Sequence, residues 1–222
     1  MQRGNIRTIH EHERRYLSLV CHKLGCRRGN RTLFTCIDFS LEAGEVLRID
    51  GDNGSGKTSL LRILAGLRQA DAGHVSWQGT DVRNPDGHVR QDLLYIGHAA
   101  AVKDSLMAWE NLACTELLTG QAGKTLALDA LAKAGLGSHA CTFGKALSQG
   151  QRRRVALARL HLPRIRTLWI LDEPFIGLDS GAVDALCASM HTHRRNGGII
   201  VYTSHQDAGP RDVRSLRLVG AS

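Results

Sequence analysis

No stretch of this 222-residue chain is apolar for anything near the ~18 residues a membrane-spanning helix needs, so any membrane association is expected to come through a partner. Met1–Tyr16 lacks the apolar h-region of a secretory signal. Being polar and charged, it is expected to be a disordered extension ahead of the first strand, or the product of a start codon assigned too far upstream. The six cysteines (Cys21, Cys26, Cys36, Cys114, Cys141, Cys187) are scattered and contain no C-x-x-C pair. That argues against a zinc site or a disulfide framework and for reduced thiols in a cytosolic protein. Internal repeats and low-complexity segments are lacking too.

What is present is ordinary for a globular protein, at 23% charged and 42% hydrophobic residues. The length suits one α/β domain with an inserted lobe. A formal charge of +8 is compatible with nucleic acid, an anionic membrane surface or nucleotide polyphosphates, and charge alone does not choose among them.

The most informative stretch is Gly51-Asp52-Asn53-Gly54-Ser55-Gly56-Lys57-Thr58, which fits the phosphate-loop pattern G-x-x-x-x-G-K-[ST]. Glu45–Asp50 ahead of it is short and β-prone, and Leu60, Leu61, Ile63, Leu64 and Leu67 behind it recur at helical spacing. Glycines let backbone N–H groups close around phosphate oxygens, and the helix N-terminus adds partial positive charge. Lys57 is expected to reach the β- and γ-phosphates and the Thr58 hydroxyl to ligate Mg²⁺. An ordinary glycine turn would match by luck in roughly one chain in a hundred, and the flanking strand and helix lower that further.

Along the chain, Leu17–Cys21 and Leu33–Phe39 read as strands around a turn at Arg27–Asn30. His74–Trp77, Leu93–Ile96, Thr167–Leu171 and Gly198–Thr203 read as further strands. From about Asp104 to Gly144 the spacing turns helical with no strand candidate, which predicts a helical lobe inserted between sheet strands. Helices are also predicted over Arg152–Leu162 and from Ser180 to about Arg195. Four apolar strands end in polar groups: the glycine loop, His98, Asp172-Glu173 and His205. At the carboxyl edge of a parallel sheet these can converge on one nucleotide. Asp172 is placed to hold Mg²⁺ with Thr58, and Glu173 to act as general base on water. Ser148, before Gln149-Gly150-Gln151, is an N-cap candidate at a second anion-binding helix start. His10, His12, His191 and His193 are expected to be solvated surface histidines; the last two lie two apart on a predicted helix and share no face.

From Leu17 onward this set resembles an ABC-type ATPase subunit. Gly51–Thr58 matches the Walker A motif, Leu147–Gln151 the signature motif, Leu168–Glu173 the Walker B segment and His205 the switch histidine. Arg31–Phe34, Gly56–Leu67, Tyr95–His98, Leu106–Leu112, Gly150–Arg159, Leu168–Phe175 and Gly197 to Gln206 further resemble the haem-exporter ATP-binding subunits of bacterial cytochrome c maturation. In that group His98 stands where most ABC ATPases carry Gln.

The resemblance implies a P-loop NTPase of α/β class, with a mainly parallel core sheet, an antiparallel N-terminal β subdomain and an inserted helical subdomain at about 100–165, within an ATPase domain spanning 17–222. It implies ATP and Mg²⁺ as cofactors and a head-to-tail homodimer. Nucleotide contacts would come from Gly51 through Ser59, and from Ser148, Gly150 and Gln151 of the opposing copy. His98 would take the Q-loop role and His205 would contact the γ-phosphate. The A-loop position, often aromatic, falls near Arg28, whose guanidinium plane can stack on a base. Gln149 stands where the general signature has Gly, and the D-loop reads Ile176-Gly177-Leu178-Asp179. Implied partners are polytopic membrane subunits at the cytoplasmic face of the bacterial inner membrane, with the chain peripheral and no nucleic acid expected. The alternatives are an ABC ATPase serving another substrate, or a non-transport ABC protein acting on nucleic acid.

Overall fold

The computed structural model describes residues 17–87, 89–117, 123–162, 166–205 and 208–219. The extension of residues 1–16, with His10 and His12, lies outside the described residues, as does Gln206. The fold starts with a hairpin. β1 (Ser18–Arg28) and β2 (Arg31–Glu42) turn through Gly29-Asn30, which sets Arg28 directly opposite Arg31. Both strands run past the apolar segments that mark them in the sequence, because backbone ladder bonds do not stop where side chains turn polar.

β3 (Val46–Gly51) leads into the glycine loop and α1 (Lys57–Leu64). β4 (Ala72–Trp77) and β5 (Thr80–Asp81) then complete an antiparallel sheet of order β2-β1-β4-β5. A single helical turn, Val89–Asp92, precedes β6 (Leu93–Ile96). The α-helices that follow among the described residues, before the next strand, are α2 (Ala108–Leu117), α3 (Lys124–Lys133) and α4 (Gln149–Ala158). After them come β7 (Leu168–Leu171), α5 (Ser180–Arg195), β8 (Ile199–Thr203) and β9 (Arg214–Leu218).

The second sheet has the order β6-β7-β8-β3-β9, and its β7–β8, β8–β3 and β3–β9 ladders are parallel. β7 and β8 are buried along their whole length, as strands covered on both faces must be.

The chain forms two compact units. One comprises the chain up to Tyr95, Ile165–Glu173 and the chain from Met190; the other comprises Ile96–Arg164 and Pro174–Ser189. In the first, Leu19, Leu41 and Trp77 from one sheet and Ile49, Ile170 and Val201 from the other share a core with Leu60, Leu61 and Leu64 of α1. Each fully buried leucine contributes about 1.5–3 kcal/mol. In the second, Ala108, Leu112, Ala127, Leu131, Val155 and Ala158 close the α2–α3–α4 core.

The second unit also shows why its first helix begins four residues later than its apolar pattern. Asn111 accepts from the Lys103 amide and donates back to the Lys103 and Leu106 carbonyls, holding that segment as a loop. The Glu110 carboxylate then accepts from the Met107 amide.

One expectation is corrected in the first unit. His191 is exposed, but His193 is not a solvated residue: its ring stacks on Trp169 with centroids 3.8 Å apart and planes 10° from parallel. Burial pushes its pKa down to about 4. The side chain sits in the last turns of α5, where the chain folds back into β8, so packing decides its environment rather than helix periodicity.

Candidate functional site

The glycine loop follows β3 because only glycine-like backbone fits there. Gly51, Gly54 and Gly56 have φ of 147°, 80° and 103°. A Cβ on Gly51 would sit 2.7 Å from both the Leu218 carbonyl and Ser55 Oγ, and one on Gly56 would sit 3.0 Å from Leu33 and Phe34. The loop therefore keeps a bare cradle. Lys57, only 8% exposed, spans it by donating to the carbonyls of Gly51 (2.6 Å) and Asp52 (3.1 Å).

Asp52, Asn53 and Gly54 face solvent, Ser55 is buried, and Gly56, Thr58 and Ser59 are half-buried. Arg28 is exposed at the hairpin end. A guanidinium nitrogen of its cross-strand partner Arg31 comes within 3.9 Å of where a Gly54 Cβ would stand. Sequence reasoning singled out Arg28 and missed Arg31, whose placement follows from a two-residue turn that puts both arginines at one edge.

The acidic pair leaves the buried strand β7. Asp172 and Glu173 are 1% and 7% exposed. Thr203, at the end of β8, donates its hydroxyl to Asp172 Oδ1 (2.9 Å) and accepts from the Glu173 amide (2.8 Å). Glu173 has a φ of 51°, a left-handed conformation that costs about 1–3 kcal/mol for a non-glycine residue and persists only where its surroundings hold it. The His205 amide donates to Glu173 Oε2 at 3.2 Å, and His205 Nε2 stands 3.4 Å from Oε1. The parallel ladders put the ends of β3, β7 and β8 on one sheet edge. The phosphate loop, the acidic pair and His205 thus share that edge.

His98, Ser148, Gly150 and Gln151 lie in the other unit. His98 is exposed, and its segment is held by the buried Arg153, which donates to the Gly97 carbonyl at 2.8 Å. Ser148 caps α4 reciprocally: its hydroxyl accepts from the Gln151 amide (3.2 Å), and the Gln151 side chain accepts from the Ser148 amide (2.8 Å). The Gln151 side chain is therefore engaged in the cap, which the S-x-x-Q spacing could have revealed. A Cβ on Gly150 would lie 2.5 Å from the Gly177 carbonyl, so the signature segment and the D-loop touch through backbone. Asp179 pairs with Arg154 at 3.2 Å and accepts from the Ala182 amide at 2.8 Å. Arg153 and Arg154 lie within a basic run that gives no sign of which arginine turns inward.

A family model described as ABC transporter matches residues 34–176. The chain belongs to the ABC transporter family. Two relatives are called Cytochrome c biogenesis ATP-binding export protein CcmA. That of Dechloromonas aromatica (strain RCB) is 46% identical over 203 residues, covering 90% of this chain and 99% of the relative. That of Escherichia coli (strain K12) is 46% identical over 200 residues, covering 90% and 95%.

The fold is that of solved ABC cassettes. A dimeric post-hydrolysis state of the ATP-binding cassette MJ0796, bound to ADP and phosphate, superposes with a TM-score of 0.75 at 21% identity, over 85% of this chain and 88% of that one. An ATP-binding subunit of an ABC transporter gives 0.74 at 24% identity, over 84% and 79%. This ABC chain is an ATPase by family, and its antiparallel sheet and its sheet of parallel ladders are those the resemblance implied.

Proposed function

We propose that this chain is the ATP-binding and ATP-hydrolysing subunit of an ABC-type membrane complex that delivers haem for c-type cytochrome biogenesis. The observation that carries the hydrolytic part is the shared sheet edge, where the glycine cradle, Asp172, Glu173 and His205 meet. The cytochrome part rests on relatives named for cytochrome c biogenesis that match 90% of the chain at 46% identity.

On this reading Lys57 exchanges the Gly51 and Asp52 carbonyls for phosphate oxygens, joined by loop amides and α1's N-terminus. Glu173 takes a proton from the attacking water, and His205, two residues beyond β8, contacts the γ-phosphate. The donor set fits Mg²⁺. The Thr58 hydroxyl and Asp172 carboxylate would offer it hard oxygen ligands. An ion that keeps substrate oxygens and waters in its shell needs no more. Held by Thr58 and Asp172, Mg²⁺ would supply charge neutralisation on the polyphosphate.

A second copy, head to tail, completes the site with Ser148 and Gly150. The Ser148 hydroxyl accepts within its cap and still has its proton to donate. His98 and Gln151 are assigned by family pattern. No helix among the described residues is long and apolar enough to cross a membrane. By the pattern of its family the chain works as a peripheral subunit at the cytoplasmic face of the inner membrane, on polytopic partners.

The test is a haem stain of membrane c-type cytochromes in cells whose only copy carries Lys57→Ala. Loss of all covalently haem-bearing cytochromes, with other haem proteins intact, is expected. Normal c-type cytochromes, with the variant shown inactive and no redundant pathway, would leave an ABC ATPase serving another substrate. Salt-sensitive binding to DNA or RNA would instead favour a non-transport role.

A further inference from the structure

We propose that Thr203 is a positioning residue for ATP hydrolysis, fixing Asp172 and Glu173 together from the strand that leads to His205. The inference rests on the reading of Glu173 as the base and Asp172 as the metal-side carboxylate. Thr203 is fully buried, the last residue of β8. Pairing of Leu171 with Tyr202 in the parallel ladder brings it level with Asp172.

Its two hydrogen bonds have only one possible sense. The Glu173 amide can only donate, so Thr203 Oγ1 accepts at 2.8 Å; the Asp172 carboxylate can only accept, so the single hydroxyl proton goes to Oδ1 at 2.9 Å. One side chain thereby sets the rotation of one acid and the backbone of the next. The second bond bears on a residue whose φ is 51°, a conformation that its neighbours must hold. The β8 side also supplies the His205 amide to Glu173 Oε2. A displacement of β8 or of the residues after it therefore reaches both acids and the histidine at once.

The residue type adds to the case. β8 reads Ile199-Ile200-Val201-Tyr202-Thr203 and is buried throughout. In such a strand valine has the same branched shape and no polar atom to desolvate. A role in packing alone calls for valine; the hydroxyl is what Asp172 and Glu173 use.

The test compares Thr203→Val, Thr203→Ser and Glu173→Gln in the full-length chain purified with its membrane partners, measuring kcat, KM for ATP and thermal midpoint. Misplacement of a reacting group by about 1 Å can cost on the order of 100-fold. Thr203→Val should accordingly lower kcat by about 10- to 100-fold with KM changed less than about threefold, and Thr203→Ser should recover most of the rate. Wild-type turnover in Thr203→Val, with Glu173→Gln inactive, overturns the role of Thr203 and leaves the base assignment standing. Parallel loss of kcat, ATP affinity and thermal midpoint that serine does not rescue overturns it as well. Undiminished turnover in Glu173→Gln overturns the base assignment and this inference with it. If Thr203→Val does not fold, Thr203→Cys replaces it: a thiol of similar bulk and weak hydrogen bonding must show the same loss, and full turnover there refutes the inference.

Discussion

Acidification should weaken the unit that carries the parallel sheet, and His193 sets the size of the effect. Its ring lies flat against Trp169, and Nε2 is buried without a hydrogen-bond partner among the described residues. Burial therefore pushes the imidazole from 6.5 to about 4, with hydrogen bonding to the Thr167 and Ile199 backbone offsetting part of the shift. In the unfolded chain the same ring titrates near 6.5. Between the two values the unfolded chain carries a proton that the folded chain lacks, so stability rises with pH across that window. The contribution is intact above 6.5, falls as pH drops below it, and bottoms out near 4.

At about 1.4 kcal/mol per unit, the full loss is about 3 kcal/mol, of which about 2 kcal/mol falls between pH 7 and pH 5. The assay is urea unfolding followed by tryptophan fluorescence at those two pH values, for the wild type and His193→Phe. Phenylalanine preserves a flat ring against Trp169 and cannot titrate, while every other ionisable group is common to both proteins. The wild type should lose about 2 kcal/mol more than the variant on acidification. Equal losses, or a His193 titration midpoint near 6.5 by NMR, would refute the argument.

Gly150→Ala should overpack the contact with the Gly177 carbonyl, costing about 1–3 kcal/mol. Thermal melting should register the cost, and turnover should fall while nucleotide binding to the phosphate loop persists. Asp92→Ala removes the acceptor of the buried Trp77 indole N–H, a 2.8 Å bond. Because that bond goes to a carboxylate, the loss should be about 1.5–3 kcal/mol in denaturant unfolding, whereas Asp92→Asn should keep most of it.

The carboxyl-edge groups were legible because each follows an apolar strand, and strand order follows from parallel crossovers. β9 was not: Arg-Ser-Leu-Arg-Leu at 214–218 is an edge strand with mostly solvent-facing polar residues, so it has little apolar patterning to detect. The two-residue β5 is too short for any periodicity. Gln151 read as a nucleotide contact while its side chain closes the helix cap, since one spacing serves both. Thr203 was read only as a strand end. Its bonds reach residues about thirty positions away, a pairing that exists only once β7 and β8 lie side by side. His193 was misread because helix spacing says which residues share a face and not what that face meets.

The pairing of β9 with β3 bears on how the protein is made. Gly51 lies beside Leu218, and the ladder between them covers the strand that enters the phosphate loop. On the ribosome, the glycine loop emerges long before its neighbouring strand does. Until residues 214–218 have left the exit tunnel, β3 presents an open edge and the cradle lacks one wall. Nascent chains should therefore stay unable to retain nucleotide until β9 has emerged, when closure of a ladder between distant segments becomes possible. A carboxyl-terminal truncation entering β9 would then act on catalysis directly, from a part of the chain that bears none of the reacting groups.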